Sequence, residues 1–331
     1  MNRYLNSLFE KDLIPRDLRV KMLASLHLIR SIELLISEYY EEQIFRCPVH
    51  LSIGQEAIAV GVSLHLTVED KVVSTHRSHA HYIAKGGDIF RMLSELIGSP
   101  RGCCKGRGGS MHIFDNAVGF MASIPIVGSS LPIAIGLALA EKNLNSKNLV
   151  VAFIGDAALE TGAFYESLNL AALKELPLLV VLEDNGYSTF SNKSVRWPAS
   201  KNVRETIQGM GVTYFHGNGD DVEDIYKNIS YIIKRVRSYE PILLHLETFR
   251  RYEHCGPNLD DKLGYRSKTE IESYLDRDPI KILELKLVDS GVISEKNLKD
   301  LVDQINDYVQ DLFTSMKDQN RDYLAKFRTS N

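Results

Sequence analysis

The sequence predicts an α/β protein in which a parallel sheet is flanked by helices, with helical extensions at both ends. Short apolar runs alternate with segments whose apolar residues recur at helical spacing, which is typical of parallel strands joined by crossover helices. One segment, residues 149–188, reads in order as strand, turn, helix, strand and turn. The chain of 331 residues can bury a large core without disulfides.

Helices are predicted early in the chain. Residues 17–46 carry apolar side chains at helical spacing, and Glu33 is expected on the wetter side. Ser52 and Gln55 match the capping-box pattern that opens many helices. This pattern predicts a helix over residues 53–66.

Four apolar runs predict the strands, at residues 72–75, 149–155, 178–184 and 242–248. The Gly-rich segment 101–112 is predicted to be a loop that either approaches another group closely or is mobile. From Ile271 onward, charges alternate with apolar residues at helical spacing, which predicts further helices. The simplest division is an N-terminal helical extension, an α/β domain and a C-terminal helical extension, at 1–50, 51–270 and 271–331.

Composition excludes two classes of partner. The formal net charge is -4 and the pI is about 6.2, so no basic excess points to nucleic acid or to an anionic membrane surface. No apolar run reaches the roughly 18 residues of a membrane span, and no secretory signal opens the sequence, so a cytoplasmic location is expected. The four cysteines show no CxxC spacing and are predicted to be reduced thiols.

Asp156 and Asn185 are the first candidates for chemistry, because each follows a predicted strand. Their spacing is close to the length of one β–α–β unit, about 30 residues. Parallel strands end at one edge of the sheet, so both side chains should reach one crevice. A carboxylate and an amide oxygen suit Mg²⁺, and the following helix would direct free N–H groups at a diphosphate. The alternative is that Asp156 merely caps that helix.

These turns carry a resemblance to a known family. GDA at 155–157 and EDNGY at 183–187 resemble the thiamine diphosphate motif, in which GDG is followed one β–α–β unit later by NN. Four further blocks are similar to the α subunits of pyruvate, branched-chain 2-oxo acid and acetoin dehydrogenases: HLSIGQEA at 50–57, STHRSHAH at 74–81, KGRGGSMH at 105–112 and YESLNLAALKELP at 165–177. The resemblance implies the thiamine diphosphate-binding fold, with thiamine diphosphate and Mg²⁺ as cofactors.

The resemblance also implies roles for individual residues. Asp156, Asn185 and the backbone oxygen of Tyr187 are expected to bind Mg²⁺. The turn after the strand is expected to contact the cofactor phosphates through Gly155, Ala157 and Ala158.

Other expected contacts lie in separate blocks. Arg77 matches the arginine that binds the diphosphate, and its neighbour His76 occupies a cofactor-contacting position. In IPIVG, at 124–128, Pro125 and Val127 match the stretch whose backbone holds the aminopyrimidine ring.

Two histidines are assigned to catalysis by the same resemblance. His50 matches a substrate-pocket position. His254, in FRRYEHCGPN, matches the histidine of an active-site loop that approaches the cofactor phosphate and assists acyl transfer. The remaining histidines of the motif blocks are expected to be structural, namely His79, His81 and His112.

Three positions depart from the family pattern. Ala157 replaces the last glycine of GDG and is expected to have an ordinary φ. Asp184 replaces the first asparagine of NN, so its carboxylate should turn away from the phosphate or accept a backbone N–H. Cys255 stands where regulated members have serine after the histidine, which suggests a branch serving a specialised pathway.

The resemblance implies an α subunit that shares its active site with a β subunit. The β subunit would supply the glutamate that activates the cofactor, in an α2β2 heterotetramer working with a lipoyl acyltransferase on a small 2-oxo acid or an acyloin. Two alternatives stay open. One is a transketolase-like or non-oxidative decarboxylase subunit, and the other is a catalytically silent subunit that only binds or assembles.

Overall fold

The structure, a computed structural model, describes Leu5 and residues 17–328, the last three by backbone alone. The strands are β1 (Lys71–Thr75), β2 (Phe120–Ile124), β3 (Val150–Gly155), β4 (Leu178–Asp184), β5 (Tyr187–Ser188), β6 (Ser191–Asn192), β7 (Thr213–Asn218) and β8 (Ile242–Glu247). Six of them form one parallel sheet in the order β2-β1-β3-β4-β8-β7. The short β5 and β6 pair antiparallel beside it.

Helices connect these strands and extend the chain at both ends. They are α1 (Leu18–Tyr40), α2 (Glu56–Ser63), α3 (His79–Ala84), α4 (Ile89–Leu96), α5 (Ser130–Asn143), α6 (Gly162–Leu173), α7 (Lys193–Arg196), α8 (Val203–Gly209), α9 (Val222–Val236), α10 (Lys268–Leu275), α11 (Pro279–Asp289), α12 (Glu295–Gln319) and α13 (Arg321–Arg328). The predicted α/β class, with a parallel sheet between helices, is confirmed.

The sheet separates two hydrophobic clusters. Along β3, Val151 and Phe153 belong to the cluster that includes α1, α2 and α9. Their neighbours Val150, Ala152 and Ile154 belong to the cluster that includes α5 and α6. Side chains of a strand alternate between the faces, so a run that is apolar throughout needs cover on both sides.

All four predicted strands are present within one residue of their expected ends. The sequence reading missed β2 and β7. β7 (TYFHGN) lies at the edge of the sheet with several half-buried or exposed residues, and β2 (FMASI) is partly exposed at the opposite edge. Edge strands need less apolar sequence, so the pattern that identified the central strands was absent there.

Two expectations about the first helices were wrong. Glu33 is fully buried, and its carboxylate accepts hydrogen bonds from Ser52 N at 2.9 Å and from His79 Nδ1 at 3.0 Å. The helix predicted over 53–66 is shorter and spans Glu56–Ser63. Gln55 rather than Ser52 takes the N-cap position, and no side chain caps the helix. The buried Glu33 carboxylate binds the Ser52 backbone, so the segment before α2 is fixed by a tertiary contact rather than by a capping box.

The Gly-rich loop approaches a buried carboxylate closely, which is the first of the two predicted alternatives. The Glu95 side chain accepts N–H groups from Cys104, Gly106, Gly108 and Gly109 at 2.7, 2.9, 2.7 and 3.3 Å. A Cβ on Gly106 would lie 2.1 Å from the carbonyl oxygen of Gly98. The glycines therefore let the backbone wrap around Glu95.

The terminal helices pack on the sheet domain, and buried residues of α1, α11 and α12 belong to one cluster with the strands. The division at residues 50 and 270 remains a prediction, and residues 1–4 and 6–16 of the N-terminal extension lie outside the described part. No helix in the described part is long and apolar enough to cross a membrane. The four cysteines are free thiols, as predicted.

Candidate active site

The candidate site lies where the order of the sheet changes direction. The chain leaves β1 for β2 on one side, whereas β3 lies on the other side of β1. Ligands of open α/β sheets bind beyond the carboxyl ends of the strands at such a point. A cavity of about 190 Å³ opens here, and its walls come from the ends of β1 to β4 and from the loop after β8.

Every residue predicted to act in the site lines this one cavity: His50, His76, Arg77, Pro125, Val127, Gly155, Asp156, Ala157, Ala158, Asn185, Tyr187 and His254. They come from six separate segments of the sequence. Their roles toward a ligand remain predictions, but the structure brings all of them together.

Two neighbouring turns place the predicted metal ligands. Asp156 follows β3 and is 2 % exposed. After β4, Asn185 Oδ1 accepts the N–H of Tyr187 at 3.1 Å, and Asn185 Nδ2 donates to Gln55 Oε1 at 3.2 Å. Gly186 between them has a φ of +80°, which favours glycine. These contacts fix the orientation of the Asn185 amide.

The turn after Gly155 offers backbone donors. Residues Asp156–Glu160 form a short 3-10 helix, and Ala157 is not among the residues with positive φ, as predicted. The first N–H groups of a helix have no partner within it. The amides of Ala157 and Ala158, which both line the cavity, are therefore positioned to bind an anion.

The Asp184 carboxylate does not line the cavity and is bound by three partners. It accepts the Gly186 N–H at 3.0 Å, Lys193 Nζ at 2.6 Å and His245 Nε2 at 2.9 Å. Burial would raise its pKa, but the hydrogen bonds from His245 and Lys193 outweigh burial and lower the pKa to about 2. The expectation that Asp184 accepts a backbone N–H is confirmed, and the asparagine-to-aspartate change is compensated.

Asp156 titrates in the opposite direction. Burial and the nearby Asp184 charge raise the pKa of the Asp156 carboxyl, although Arg196 opposes them. Two carboxylates thus stand close together behind the turns. Buried carboxylates of this kind require cationic partners.

Arg77 and three histidines form a second cluster in the cavity lining. Arg77 is 5 % exposed and donates to the backbone oxygens of Leu51 at 2.5 Å and His254 at 3.1 Å. The ring centroids of His50 and His76 are 4.6 Å apart, and the ring of His254 lies 5.1 and 5.2 Å from them. Three imidazoles and one guanidinium therefore face one small space.

Burial and the Arg77 charge keep these imidazoles neutral. Burial first, then Arg77, lowers the pKa of His50 to about 2, of His76 to about 3 and of His254 to about 4. At neutral pH each ring therefore offers one donor and one acceptor. His50 Nδ1 is buried without a hydrogen-bond partner in the described structure, which marks it as a group that a ligand would satisfy.

Among the cavity residues that the sequence reading missed, three make informative polar contacts. Gln55 orients Asn185, but its segment was read only as a helix start. Arg250 is 1 % exposed and lies 3.5 Å from His254 Nδ1. Glu183 accepts a hydrogen bond from His81 Nε2 at 3.1 Å. A charged residue inside or just after an apolar strand was the available signal for both Arg250 and Glu183.

Two of the three histidines predicted to be structural, His79 and His81, are engaged in the interior, whereas His112 is exposed and its Nδ1 lies 3.2 Å from the backbone oxygen of Gly108. His81 Nδ1 lies 2.8 Å from Ser74 Oγ, and His79 Nε2 lies 2.8 Å from Ser110 Oγ. Together with their carboxylate partners, these contacts tie α3 to the sheet and to the Gly-rich loop. Neither histidine lines the cavity.

Known proteins with similar sequences share one family. Residues 24–323 match the model of the dehydrogenase E1 component. The α subunit of the pyruvate dehydrogenase E1 component of Rickettsia bellii is 36% identical over 263 residues, which covers 79% of each chain. The α subunit of acetoin:2,6-dichlorophenolindophenol oxidoreductase of Bacillus subtilis is 36% identical over 275 residues, 81% of this chain and 80% of that one.

A solved structure agrees on the fold. The chain superposes on transketolase from Campylobacter jejuni with a TM-score of 0.56 and 16% identity, over 84% of this chain and 50% of that one. This likeness concerns the fold alone. The sequence matches extend over most of the chain, and the chain therefore belongs to the dehydrogenase E1 component family, among the α subunits of thiamine diphosphate-dependent 2-oxo acid dehydrogenases.

Proposed function

We propose that this chain binds thiamine diphosphate and Mg²⁺ and, with a β subunit, decarboxylates a small 2-oxo acid or cleaves an acyloin and passes the acyl group to a lipoyl acceptor. One observation carries the proposal: a single cavity collects Asp156, Asn185, Arg77 and three histidines. The similar pyruvate and acetoin enzymes support both substrate classes. A silent subunit would have no need of this buried polar set.

The donors in the cavity fit the cofactor. Asp156, Asn185 Oδ1 and the backbone oxygen of Tyr187 are hard oxygen ligands suited to Mg²⁺. Arg77 and the amides of Ala157 and Ala158 suit a diphosphate. Thiamine diphosphate, when bound, supplies the carbon nucleophile and the electron sink that decarboxylation needs. The chain orients that group and excludes water from its phosphate end.

The histidines are suited to handling protons near the substrate. His50 is neutral and has an unpartnered Nδ1, so it can donate to or accept from a substrate oxygen. His254 lies on the loop after β8, where it can contact both the phosphate and an incoming acyl acceptor. Arg250 beside it adds a permanent positive charge that favours an anionic substrate.

The other wall of the cavity is apolar and open, which supports a partner there. Ile126 is 69% exposed and Val127 47% exposed, beside Pro125 in the stretch expected to hold the aminopyrimidine. Ile133 on α5 and Leu173 at the end of α6 are also exposed apolar side chains. A β subunit docked here, in an α2β2 particle, would cover these residues and supply the activating glutamate.

Calorimetric titration tests the proposal directly. The wild-type chain should bind thiamine diphosphate only when Mg²⁺ is present, because Asp156 would hold the cation that neutralises the diphosphate charge. Thiamine monophosphate is the matched control and should bind much more weakly. Mg²⁺-independent binding, or no binding at all, would contradict the proposal. The substrate and the lipoyl acceptor then follow from turnover assays of the complex with its β subunit.

A further inference from the structure

One basic side chain reaches the predicted metal site from the short helix α7. Arg196 Nη2 donates to Asp156 Oδ2, and Nη1 donates to Glu160 Oε1. Its Nε donates to the backbone oxygen of Ser191 at 3.0 Å. The Arg196 and Asp156 side chains are 10% and 3% exposed, so this ion pair is shielded from water.

The two carboxylates that share Arg196 differ in exposure. Glu160 is 35% exposed, whereas Asp156 is almost completely buried. A buried carboxylate is costly without a cation, but a half-exposed one is hydrated. Arg196 therefore matters more to Asp156 than to Glu160. Release of Asp156 would still leave Arg196 with Glu160 and Ser191 as acceptors.

We propose that Arg196 is the resident counter-ion of Asp156 and that it competes with the divalent cation for this carboxylate. The inference rests on the proposed function. Cation binding at Asp156 would leave the Arg196 guanidinium with Glu160 and the Ser191 backbone oxygen, because a divalent cation and a guanidinium on one carboxylate repel each other in a buried site. Loading of the metal is thereby coupled to the position of α7.

The neighbouring side chains make the α7 segment responsive to this change of partners. Trp197 Nε1 donates to Glu160 Oε1 at 2.9 Å, which is the oxygen that Arg196 also binds. Lys193, at the start of α7, pairs with Asp184 in the adjacent turn. The single turn of α7 thus carries the cationic partners of both buried carboxylates, Asp156 and Asp184.

The chain offers a built-in reporter, because Trp197 is its one tryptophan. A shift of Arg196 changes the surroundings of the shared Glu160 oxygen and hence of the indole. Trp197 emission should therefore change when Mg²⁺ and thiamine diphosphate saturate the wild-type chain. An emission spectrum that is identical before and after saturation would overturn the proposal.

Calorimetry with Arg196→Gln provides the deciding measurement. Glutamine keeps a polar side chain but removes the competing charge, so Mg²⁺ affinity at saturating thiamine diphosphate should rise about fivefold, which corresponds to about 1 kcal/mol of binding free energy. Arg204→Gln is the matched control. Arg204 is exposed on the next helix and lies over the Tyr214 ring, so its removal should leave Mg²⁺ affinity unchanged.

The outcomes separate the inference from the proposed function. Equal affinity in wild type and Arg196→Gln would show that no competition exists, and weaker affinity in the variant would show that Arg196 helps to hold the cofactor. Either result overturns the inference while the wild-type titration still supports the proposed function. Absence of Mg²⁺-dependent binding in the wild type would overturn both. A cooperative thermal unfolding transition in each variant confirms that all chains are folded.

Discussion

Two walls of the same cavity are built differently. At the ends of β3 and β4, the polar side chains are held by the chain itself, as the three partners of Asp184 illustrate. Around Ile126 and Val127, the wall consists of exposed apolar residues without cover in the described structure. The polar side chains of the first wall find their partners within this chain, whereas the exposed apolar residues of the second wall resemble a protein–protein interface without its partner.

This difference indicates how the work is divided. Metal and diphosphate binding need fixed charges, and one fold can supply these from neighbouring strand ends. An apolar wall exposed to water is unfavourable unless another surface covers it. This difference supports the proposal that this chain anchors the cofactor and that a partner subunit completes the reactive end.

The largest effect should separate the isolated chain from its complex. Purified alone at saturating thiamine diphosphate and Mg²⁺, the chain should turn over 2-oxo acids about 100- to 10,000-fold more slowly than with its β subunit, the usual contribution of a positioned acid or base. Steady-state CO2 release measures this. Glu183 lines the cavity but is bonded to His81. A normal rate in the isolated chain would refute the need for a partner at the reactive end and would make Glu183 the candidate activator.

Removal of a predicted metal ligand should weaken cofactor binding at the wall formed by the ends of β3 and β4. Asp156→Ala should weaken Mg²⁺-dependent thiamine diphosphate binding roughly 100-fold or more, because loss of groups that merely orient a ligand already costs about 10- to 100-fold. Asn185→Ala should lose less, since an amide oxygen carries no net charge. Calorimetry of both variants tests the order. Unchanged affinity in folded Asp156→Ala would place the metal elsewhere.

A charge on the exposed apolar face of α6 should affect assembly alone. Leu173→Glu should weaken binding of the β subunit about 10- to 100-fold, because burial of one leucine is worth about 1.5–3 kcal/mol. Leu285→Glu, on the exposed side of α11, is the control and should have no effect. Sedimentation or mass photometry of the mixed chains measures assembly. Equal loss in both variants would refute the assignment of this surface.

The neutral histidines should make stability depend on pH. Unfolded His50 takes up a proton below about pH 6.5, whereas the folded residue has a pKa of about 2. Unfolding therefore binds a proton between these values, so stability falls as pH falls from 7.5 to 5. His50→Gln should remove about 1 to 2 kcal/mol of that loss, measured by urea unfolding at both pH values. Identical pH dependence would mean that His50 is hydrated.

The smallest effect is expected at Cys255. Its exposed thiol stands where regulated relatives carry serine, so a kinase that inactivates those relatives should leave the activity of this complex unchanged. Cys255→Ser restores the hydroxyl and is the informative control. Phosphate incorporated within residues 249–268 of the wild type, with loss of turnover, would refute the prediction.

The sequence by itself determined the central elements and the polar residues that stand at their ends. Mostly apolar runs predicted β3, β4 and β8, because a strand covered on both faces buries nearly all of its side chains. The turn residues Asp156 and Asn185 followed from the strand ends, since parallel strands finish at one edge. Local pattern was sufficient wherever a residue's role depends on its neighbours in the chain.

Tertiary structure alone decided which charges are buried and what neutralises them. Glu33 was expected near water, yet it binds His79 from a distant helix. Asp184 is stabilised by His245, and Asp156 pairs with Arg196. These partners are far apart in the sequence, and no periodicity encodes their encounter. Burial makes each such charge costly, so the fold must bring a specific partner to it, and only the packed chain reveals which one.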